Sequence, residues 1–335
     1  MHPPGFVEGT DAHDLGESLA PCLTQACGGR LGRIDFFRST HQHGGAATGF
    51  STWREEGGAS VPVMVKLPVG PVEHRWSLAL GGNGDGVWDD ARAQGCPVPR
   101  VFAAGTMLGG YDFAWLVVER LRLPLSPTHM DASQVRELLE AAADFQRQAV
   151  IANPTVEGHG KTPDWGALIH KGRQACHDDA LPESQKWNDV LKKVEKALGV
   201  LKAKWDRRHV NAWCHGDLHA GNLMHRWRED GTVRRGVLID LALVHPGHWV
   251  EDAVYLERQY WGHEAMLHGV KPVSELAHQR RQRGLPADGD YAELAAVRRV
   301  LMAASAPAMA YREGNHRYLH SAHEVLERNL HQAAH

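Results

Sequence analysis

The sequence predicts an α+β fold with a small β-rich N-terminal domain and a larger, mainly helical C-terminal domain. Strand-length apolar runs dominate the first third, Pro124 and Pro127 interrupt regular structure, and a helical periodicity begins at Asp131. The 335 residues are enough for about two domains of ordinary size. We therefore predict an N-terminal domain of residues 1–123 and a C-terminal domain of residues 124–335.

The N-terminal domain is predicted to begin with one helix and continue as a sheet. Leu15, Leu19 and Leu23 recur at helical spacing and indicate a helix over residues 12–27. β-Rich runs predict strands over 33–37, 50–54 and 61–66, a turn into a strand over 95–102, and a buried strand over 113–121.

The C-terminal domain is predicted to be built from amphipathic helices. Asp131 is a suitable N-cap for a helix whose apolar stripe contains Val135, Leu138, Leu139, Ala142 and Phe145. Further patterns predict a helix over 184–207, a hairpin of 223–227 with 233–240, and helices over 250–265, 273–284, 291–312 and 316–332.

Composition excludes several classes of function. A formal net charge of −3 provides no basic field for broad nucleic-acid binding, and no apolar run reaches the roughly 18 residues of a membrane span. The N-terminal residues lack the features of a signal peptide, and five Cys without a scaffold spacing favour a reducing compartment. We expect a cytoplasmic protein with no nucleic-acid or membrane partner, and make no prediction of its oligomeric state.

One short segment carries most of the chemical information. In the segment 215–222, Asp217 precedes Asn222 by five residues, and Asp240 closes a later apolar strand. Phosphoryl transfer needs such a set, because one carboxylate orients or deprotonates the acceptor hydroxyl while an Asn and a second Asp hold Mg²⁺ on the nucleotide phosphates. The pattern predicts a phosphotransferase that uses ATP and Mg²⁺.

Two features of the N-terminal domain fit the same chemistry. The small residues Gly44, Gly45 and Thr48 form a predicted turn whose backbone amides can approach phosphate oxygens. Lys66 ends an apolar strand, where its charge requires a negative partner such as a phosphate. Glu73 is the first candidate for an acidic partner of Lys66 on a helix, and Asp89 and Asp90 are alternatives.

These features together resemble the aminoglycoside phosphotransferase and choline kinase family, which has a two-lobed protein-kinase-like fold. The segment 215–222 matches the family pattern H-G-D-x-H-x-x-N at every specified position, and the resemblance extends over roughly 30–265. It implies that Asp217 is the catalytic base or orients the acceptor, that Asn222 and Asp240 bind Mg²⁺, and that Lys66 contacts the α- and β-phosphates.

Other roles also follow from the resemblance. Adenine is expected at the main chain around Glu119 and Leu121, without a need for their side chains. His215 and His219 are expected to brace the loop, and Asp252 to hydrogen-bond it.

The acceptor is predicted to be a small molecule carrying a hydroxyl group, similar to an aminoglycoside, choline or a sugar. Only twelve positions separate Asp240 from Asp252, too few to form the peptide-docking segment of protein kinases. Six residues are near enough in sequence to line an acceptor pocket, although helix packing is the simpler expectation for each: Trp249, Glu251, Tyr255, Glu257, Tyr260 and Trp261.

Alternative functions use the same residues. A kinase-like protein could bind nucleotide without turnover. Loss of one of the residues expected in an active enzyme would indicate this, but all four are present: Lys66, Asp217, Asn222 and Asp240. A metallophosphoesterase could use His215, Asp217, His219, Asn222 and Asp240 as ligands, but that function leaves Lys66 unexplained. A metal site on the last predicted helix, where His316, His320 and His323 share one face, is left open.

Overall fold

The fold is known from a computed structural model that describes residues 12–37, 46–82, 95–122, 130–158, 160, 162–178, 181–227, 233–287, 289, 291–310 and 316–334. The chain forms two compact units. Unit 1 contains Met1–Pro124 and Leu223–Val244, and unit 2 contains Leu125–Asn222 and His245–His335. The hairpin region 223–244, which the sequence analysis assigns to the C-terminal domain, thus belongs to unit 1. The domain boundary near residue 123 stays a prediction.

Unit 1 is organised around a five-stranded antiparallel sheet with the strand order β1-β2-β3-β5-β4. Its elements are α1 (Ala12–Ala26), β1 (Asp35–Phe37), β2 (Ala47–Arg54), β3 (Ser60–Val69), α2 (Pro71–Gly81), β4 (Val101–Leu108), β5 (Tyr111–Glu119), β7 (Leu223–Trp227) and β8 (Val233–Leu238). Helix α1 confirms the predicted leading helix, and its Leu19 and Leu23 belong to the same apolar cluster as alternate residues of β3. The pairing of β7 with β8 confirms the predicted hairpin.

Most strands are shifted by a few residues from their predicted bounds, and β4 extends to Leu108, well beyond the predicted 102. The differences in β2 and β3 affect residues predicted to bind nucleotide. Thr48 was expected in a turn, but β2 begins at Ala47 and Thr48 is a buried strand residue. Gly49 also belongs to β2. A Cβ at this position would lie only 2.6 Å from Ile34 Cγ2, so the close neighbour favours glycine here. Lys66 was expected to end its strand, but β3 continues to Val69 because alternation places Leu67 and Val69 in the apolar interior.

A buried arginine joins the hairpin to the end of β5. The Arg226 guanidinium donates to both Glu119 carboxylate oxygens at 2.7–3.1 Å and to the carbonyl oxygens of Cys96 and Val98, each at 2.9 Å. The Arg226 side chain is 5% exposed and that of Glu119 is 21% exposed. This cluster fixes the chain immediately before Leu121.

We expect the Arg226→Met substitution to lower the free energy of unfolding by about 3 kcal/mol, because it leaves a largely buried carboxylate without its cation. Urea denaturation followed by tryptophan fluorescence measures the change. Arg33→Met is the matched control: Arg33 is 92% exposed beside Asp35, so a change below about 0.5 kcal/mol is expected. Equal effects of the two substitutions would contradict the assigned role of Arg226.

Unit 2 is mainly helical. Its elements are α3 (Ala132–Ala152), α4 (Trp165–His177), α5 (Ser184–Asp206), β6 (Ala212–Cys214), β9 (His245–Gly247), α6 (Val250–Gln259), α7 (Pro272–Gln282), α8 (Tyr291–Ala310) and α9 (His316–Ala334). Strands β6 and β9 form a two-stranded antiparallel sheet. The predicted α+β fold, β-rich first and helical later, is confirmed. Within the described ranges, no helix combines the length and apolar character needed to cross a bilayer.

The predicted helices of unit 2 are present, with one addition, but α6 ends at Gln259 and not near residue 265. Asp131 forms a full capping box with Gln134 at the start of α3, and the predicted apolar stripe of α3 is buried. Helix α4, which the sequence analysis missed, buries Trp165 and Ile169 but otherwise small residues such as Gly172. So few large apolar residues give a weak periodic signal.

Buried polar groups fix the start of α6. The Glu251 carboxylate accepts a hydrogen bond from the His248 amide at 3.0 Å, and His248 Nδ1 accepts one from the Val250 amide at 3.2 Å. Burial, and then the nearby Arg280 guanidinium, lower the pKa of His248 from 6.5 to about 4. The folded protein therefore holds His248 neutral at a pH where the unfolded chain has protonated it.

We expect His248 to make stability depend on pH between about 6.5 and 4. Its stabilising contribution is complete above pH 6.5 and is lost as the pH falls toward 4, by on the order of 3 kcal/mol. His248→Asn keeps an acceptor for the Val250 amide but does not titrate. Its free energy of unfolding, measured by urea denaturation across this range, is expected to fall less steeply than that of the wild type, and parallel curves would contradict this explanation.

Candidate active site

Lys66 and Glu73 form the central ion pair of unit 1. Lys66 Nζ donates to both Glu73 carboxylate oxygens, at 2.6 and 2.8 Å. Burial raises the pKa of Glu73, and the Lys66 ammonium opposes that rise. The structure thus pairs Lys66 with the first of its three sequence candidates, whereas Asp89 and Asp90 lie outside the described residues. The pair holds the Lys66 ammonium group in a fixed position, and this group is a suitable donor to phosphate oxygens.

Asp240 lies near this pair. The Asp240 carboxylate contributes to the raised pKa of Glu73, and the turn Leu241–Leu243 that follows it packs against α2. Asp240 is exposed and adopts a left-handed backbone conformation with φ +62°. Among the described residues, its carboxylate has no hydrogen-bond or ion-pair partner. Both oxygens are therefore available, and carboxylate oxygens suit the preference of Mg²⁺ for hard ligands.

The other residues of unit 1 that are predicted to bind nucleotide differ in their position and in the hydrogen bonds that they already make. Thr48 lies directly opposite Lys66 in the β2–β3 register, while Gly44 and Gly45 lie outside the described residues. The Glu119 amide donates to the Arg100 carbonyl, and its side chain binds Arg226. Leu121 makes no backbone hydrogen bond to another described residue, so its main chain is the more accessible of the two for a base.

In unit 2, the buried carboxylate of Asp252 holds the loop that carries Asp217. The amides of His215 and Gly216 donate to its two oxygens at 3.0 and 2.9 Å, and Gln146 Nε2 donates at 2.9 Å. Gly216 has φ +83°, a conformation that favours glycine. The predicted bracing role of Asp252 is therefore confirmed by the contacts.

Asp217 presents a carboxylate surrounded by donors. Its Oδ1 accepts a hydrogen bond from the Tyr255 hydroxyl at 2.6 Å, and its Oδ2 lies 3.1 Å from Asn222 Nδ2 and 3.4 Å from His219 Nε2. The His219 side chain, and then the Tyr255 hydroxyl, hold the pKa of Asp217 well below its ordinary value. Asp217 is therefore ionised at neutral pH and suited to orienting a hydroxyl group.

Asn222 is held in a fixed orientation with one oxygen left over. Its amide nitrogen donates to the Asp217 carbonyl and carboxylate oxygens, at 2.9 and 3.1 Å. Its Oδ1 accepts no hydrogen bond from the described residues, and this oxygen is not closed off from solvent. An amide oxygen oriented in this way is a suitable Mg²⁺ ligand.

Tyr255 is the functional candidate that sequence reasoning undervalued. Among the described residues of the predicted acceptor set, it alone contacts Asp217. Glu251 and Glu257 are instead bound to Arg208 and Arg299. Trp249, Tyr260 and Trp261 are buried, as the packing alternative predicts. The position of Tyr255 one turn after Asp252 on a predicted helix was the signal that could have identified it.

The remaining polar candidates have structural environments. Cys214 is fully buried, and burial raises its pKa well above the ordinary value, which argues against a thiol nucleophile. It forms a cluster of metal-ligand spacing with His245 and Glu251. Burial raises the pKa of Glu251, but a hydrogen bond from His245 and the charges of Arg298 and Arg208 lower it to about 2, so the two arginines already balance the charge of this carboxylate.

Comparisons with known proteins agree with this geometry. The sequence model of the phosphotransferase enzyme family (APH) matches residues 85–297, more than half of the chain. No curated protein sequence matches the chain.

Among solved structures, a proposed aminoglycoside phosphotransferase from Ralstonia eutropha JMP134 is 16% identical with a TM-score of 0.51, and the match covers 95% of this chain and 97% of that one. Spectinomycin phosphotransferase APH(9)-Ia, in complex with ADP and spectinomycin, is 13% identical with a TM-score of 0.51 and the same coverage. Choline kinase from Cryptosporidium parvum Iowa II is 9% identical with a TM-score of 0.48, and the match covers 95% of this chain and 93% of that one.

At these identities, the two structures with a TM-score of 0.51 establish the fold, and the family model establishes the family. The chain therefore has a protein-kinase-like fold and belongs to the phosphotransferase enzyme family.

Proposed function

We propose that this protein transfers the γ-phosphoryl group of ATP, with Mg²⁺, to a hydroxyl group of a small molecule. The observation that carries the proposal is the ionised Asp217 carboxylate with a hydroxyl group, that of Tyr255, hydrogen-bonded to Oδ1 at 2.6 Å. The same oxygen can therefore hold the hydroxyl of an acceptor in its place. Family membership supports phosphoryl transfer as the reaction.

Asp217 orients the acceptor. The acceptor hydroxyl displaces Tyr255 from Oδ1, its oxygen forms a bond to the γ-phosphorus, and the bond from that phosphorus to the bridging oxygen of ADP breaks. The hydroxyl proton passes to Asp217. Since the pKa of Asp217 is well below its ordinary value, the carboxylate is a weak base and receives the proton late. Phosphoryl transfer proceeds largely by positioning and charge stabilisation, so a weak base is sufficient.

Unit 1 supplies the groups that bind nucleotide. Lys66, held by Glu73, donates to phosphate oxygens, and the main chain of Leu121 meets the adenine. Asp240 in unit 1 and Asn222 in unit 2 each offer an oxygen that would be a suitable ligand for Mg²⁺. When bound, the metal neutralises charge on the phosphates.

A small acceptor is supported by the chain between Asp240 and Asp252. This interval contains only one turn of 3-10 helix, Leu241–Leu243, and the three-residue strand β9. It offers no extended segment on which a peptide could dock. Spectinomycin, the small molecule bound to APH(9)-Ia, is consistent with an acceptor of this size.

We expect Asp217→Asn to reduce acceptor-dependent ADP formation by about 10²–10⁴-fold, because a neutral amide holds the acceptor hydroxyl less strongly than a carboxylate does and cannot accept its proton. The measurement is ADP release over a panel of hydroxyl-bearing metabolites and antibiotics. Asp206→Asn, an exposed position at the end of α5, is the control and should retain full activity. ATP binding should survive in both variants. Wild-type turnover in Asp217→Asn would reject the role of Asp217, and a flat wild-type panel would favour a non-catalytic nucleotide-binding protein.

We expect Asp240→Asn to weaken Mg·ATP binding about tenfold or more, since one carboxylate ligand is lost. Asn tolerates the left-handed conformation at this position, so backbone strain does not confuse the result. Isothermal titration calorimetry measures the affinity with and without Mg²⁺. Asp112→Asn, at an exposed position in unit 1, serves as the control. An Mg·ATP affinity equal to that of the wild type would remove Asp240 from the metal site.

A further inference from the structure

Arg258 is a partly buried cation near the C-terminal end of α6 with an unusual set of partners. Its Nε donates to the Tyr318 hydroxyl at 2.7 Å, and its guanidinium lies 5.9 Å from the centre of the Tyr318 ring. Its Nη2 has only a weak contact with Met309 Sδ at 3.8 Å. Two neutral residues thus hold the guanidinium in place and leave Nη1 without a hydrogen-bond acceptor in the described protein.

No carboxylate among the described residues lies within ion-pair distance of Arg258. Its sequence neighbour Glu257 is committed elsewhere, because its two oxygens accept hydrogen bonds from Arg299 at 2.7 and 2.9 Å. A fixed arginine with open donors favours an oxyanion partner, to which guanidinium groups bind with short, charge-assisted hydrogen bonds.

Arg258 lies close to the residue that contacts Asp217. Tyr255 and Arg258 are three residues apart on α6, and side chains at this spacing share one helix face, with about 5–6 Å between their Cβ atoms. Gln259, four residues after Tyr255, lies on the same helix face. One face of α6 therefore carries a hydroxyl bound to Asp217, an amide, and a cation that has no carboxylate partner among the described residues.

We propose that the acceptor is an anionic hydroxyl compound whose carboxylate or phosphate group is bound by Arg258 while its hydroxyl group faces Asp217. This inference rests on the proposed function, because it takes Asp217 as the residue that receives the hydroxyl. The acceptor then carries its anionic group about one helical turn from the reacting oxygen. An acceptor whose only charge is an ammonium group would instead meet Arg258 with like charge.

Two matched sets of compounds test the charge preference. Glycerate, glycerol 3-phosphate, glycerol and serinol share three carbons, and gluconate, glucose 6-phosphate, glucose and glucosamine share six. Binding of each compound is measured by isothermal titration calorimetry to the full chain saturated with Mg·ADP, so that the nucleotide site cannot bind the anions. We expect the anionic members of at least one set to bind about tenfold or more tightly than their neutral and cationic counterparts. Equal affinity across charge in both sets would overturn the inference.

Variants separate anion recognition from a structural role of Arg258. Arg258→Gln should remove the preference by weakening only the anionic compounds, about tenfold or more, and Arg258→Lys should retain part of it. Arg281→Gln, at an exposed position on α7, should leave the preference unchanged. If Arg258→Gln weakened all compounds equally, Arg258 would serve only to join α6 to Tyr318 and the inference would fall.

Turnover distinguishes this inference from the proposed function. If neutral acceptors are phosphorylated as well as anionic ones and Arg258→Gln changes nothing, the inference fails and the function stands. If Arg258-dependent anion binding occurs but no compound raises ADP release above the Asp217→Asn background, the anion site stands and the catalytic proposal fails.

Discussion

The structure of unit 2 depends on one buried carboxylate. Asp252 is 1% exposed, and it accepts hydrogen bonds from the amides of His215 and Gly216 and from Gln146. Gln146 in turn accepts from Arg280 at 2.5 Å, and Arg280 is fully buried. A carboxylate in such a position is tolerated only when donors replace its lost hydration. These donors come from the loop that carries Asp217, from α3 and, through Gln146, from α7, so satisfying one charge fixes this loop against the helices.

Hydrogen-bond donors also determine the chemistry of the Asp217 carboxylate. Donors that keep its carboxylate ionised also occupy both of its oxygens, because Tyr255 takes Oδ1 while His219 and Asn222 take Oδ2. A strong general base would need fewer such donors, since each one lowers its proton affinity. Orientation of a nucleophile needs the opposite, a rigid acceptor whose direction is fixed. The geometry therefore favours positioning over proton abstraction, which agrees with the requirements of phosphoryl transfer.

The features that could be predicted from the sequence are those determined by nearby residues. Helices α3 and α5 follow from long apolar stripes, and the pairing of Lys66 with Glu73 follows from a buried charge that needs a nearby partner. The bracing role of Asp252 came from the family resemblance.

The features that sequence reasoning did not identify depend on contacts between distant positions. Arg226 meets Glu119 across 107 residues, and Tyr255 meets Asp217 across 38. A lone arginine in a strand or tyrosine on a helix has no local signature of such a partner. The extent of β2 and β3 is likewise set by packing in the sheet, which propensity alone does not specify.

Helix α6 carries three side chains with different partners at fixed distances from one another. Its first turn carries Asp252, which holds the loop that carries Asp217. Its second turn carries Tyr255, and its last carries Arg258. At 1.5 Å per residue, Asp252 and Arg258 are separated by about 9 Å along the helix axis. The anchor of the loop and the cation are thus set at a fixed spacing by backbone hydrogen bonds. The helix dipole also favours a positive charge at the C-terminal end, where Arg258 lies without a carboxylate partner in the part of the chain that the structure describes. Because Asp252 and Arg258 lie on the same helix, a shift of α6 that moved Arg258 would also disturb the loop that carries Asp217. The proposed recognition of the acceptor and the proposed orientation of its hydroxyl group would therefore change together.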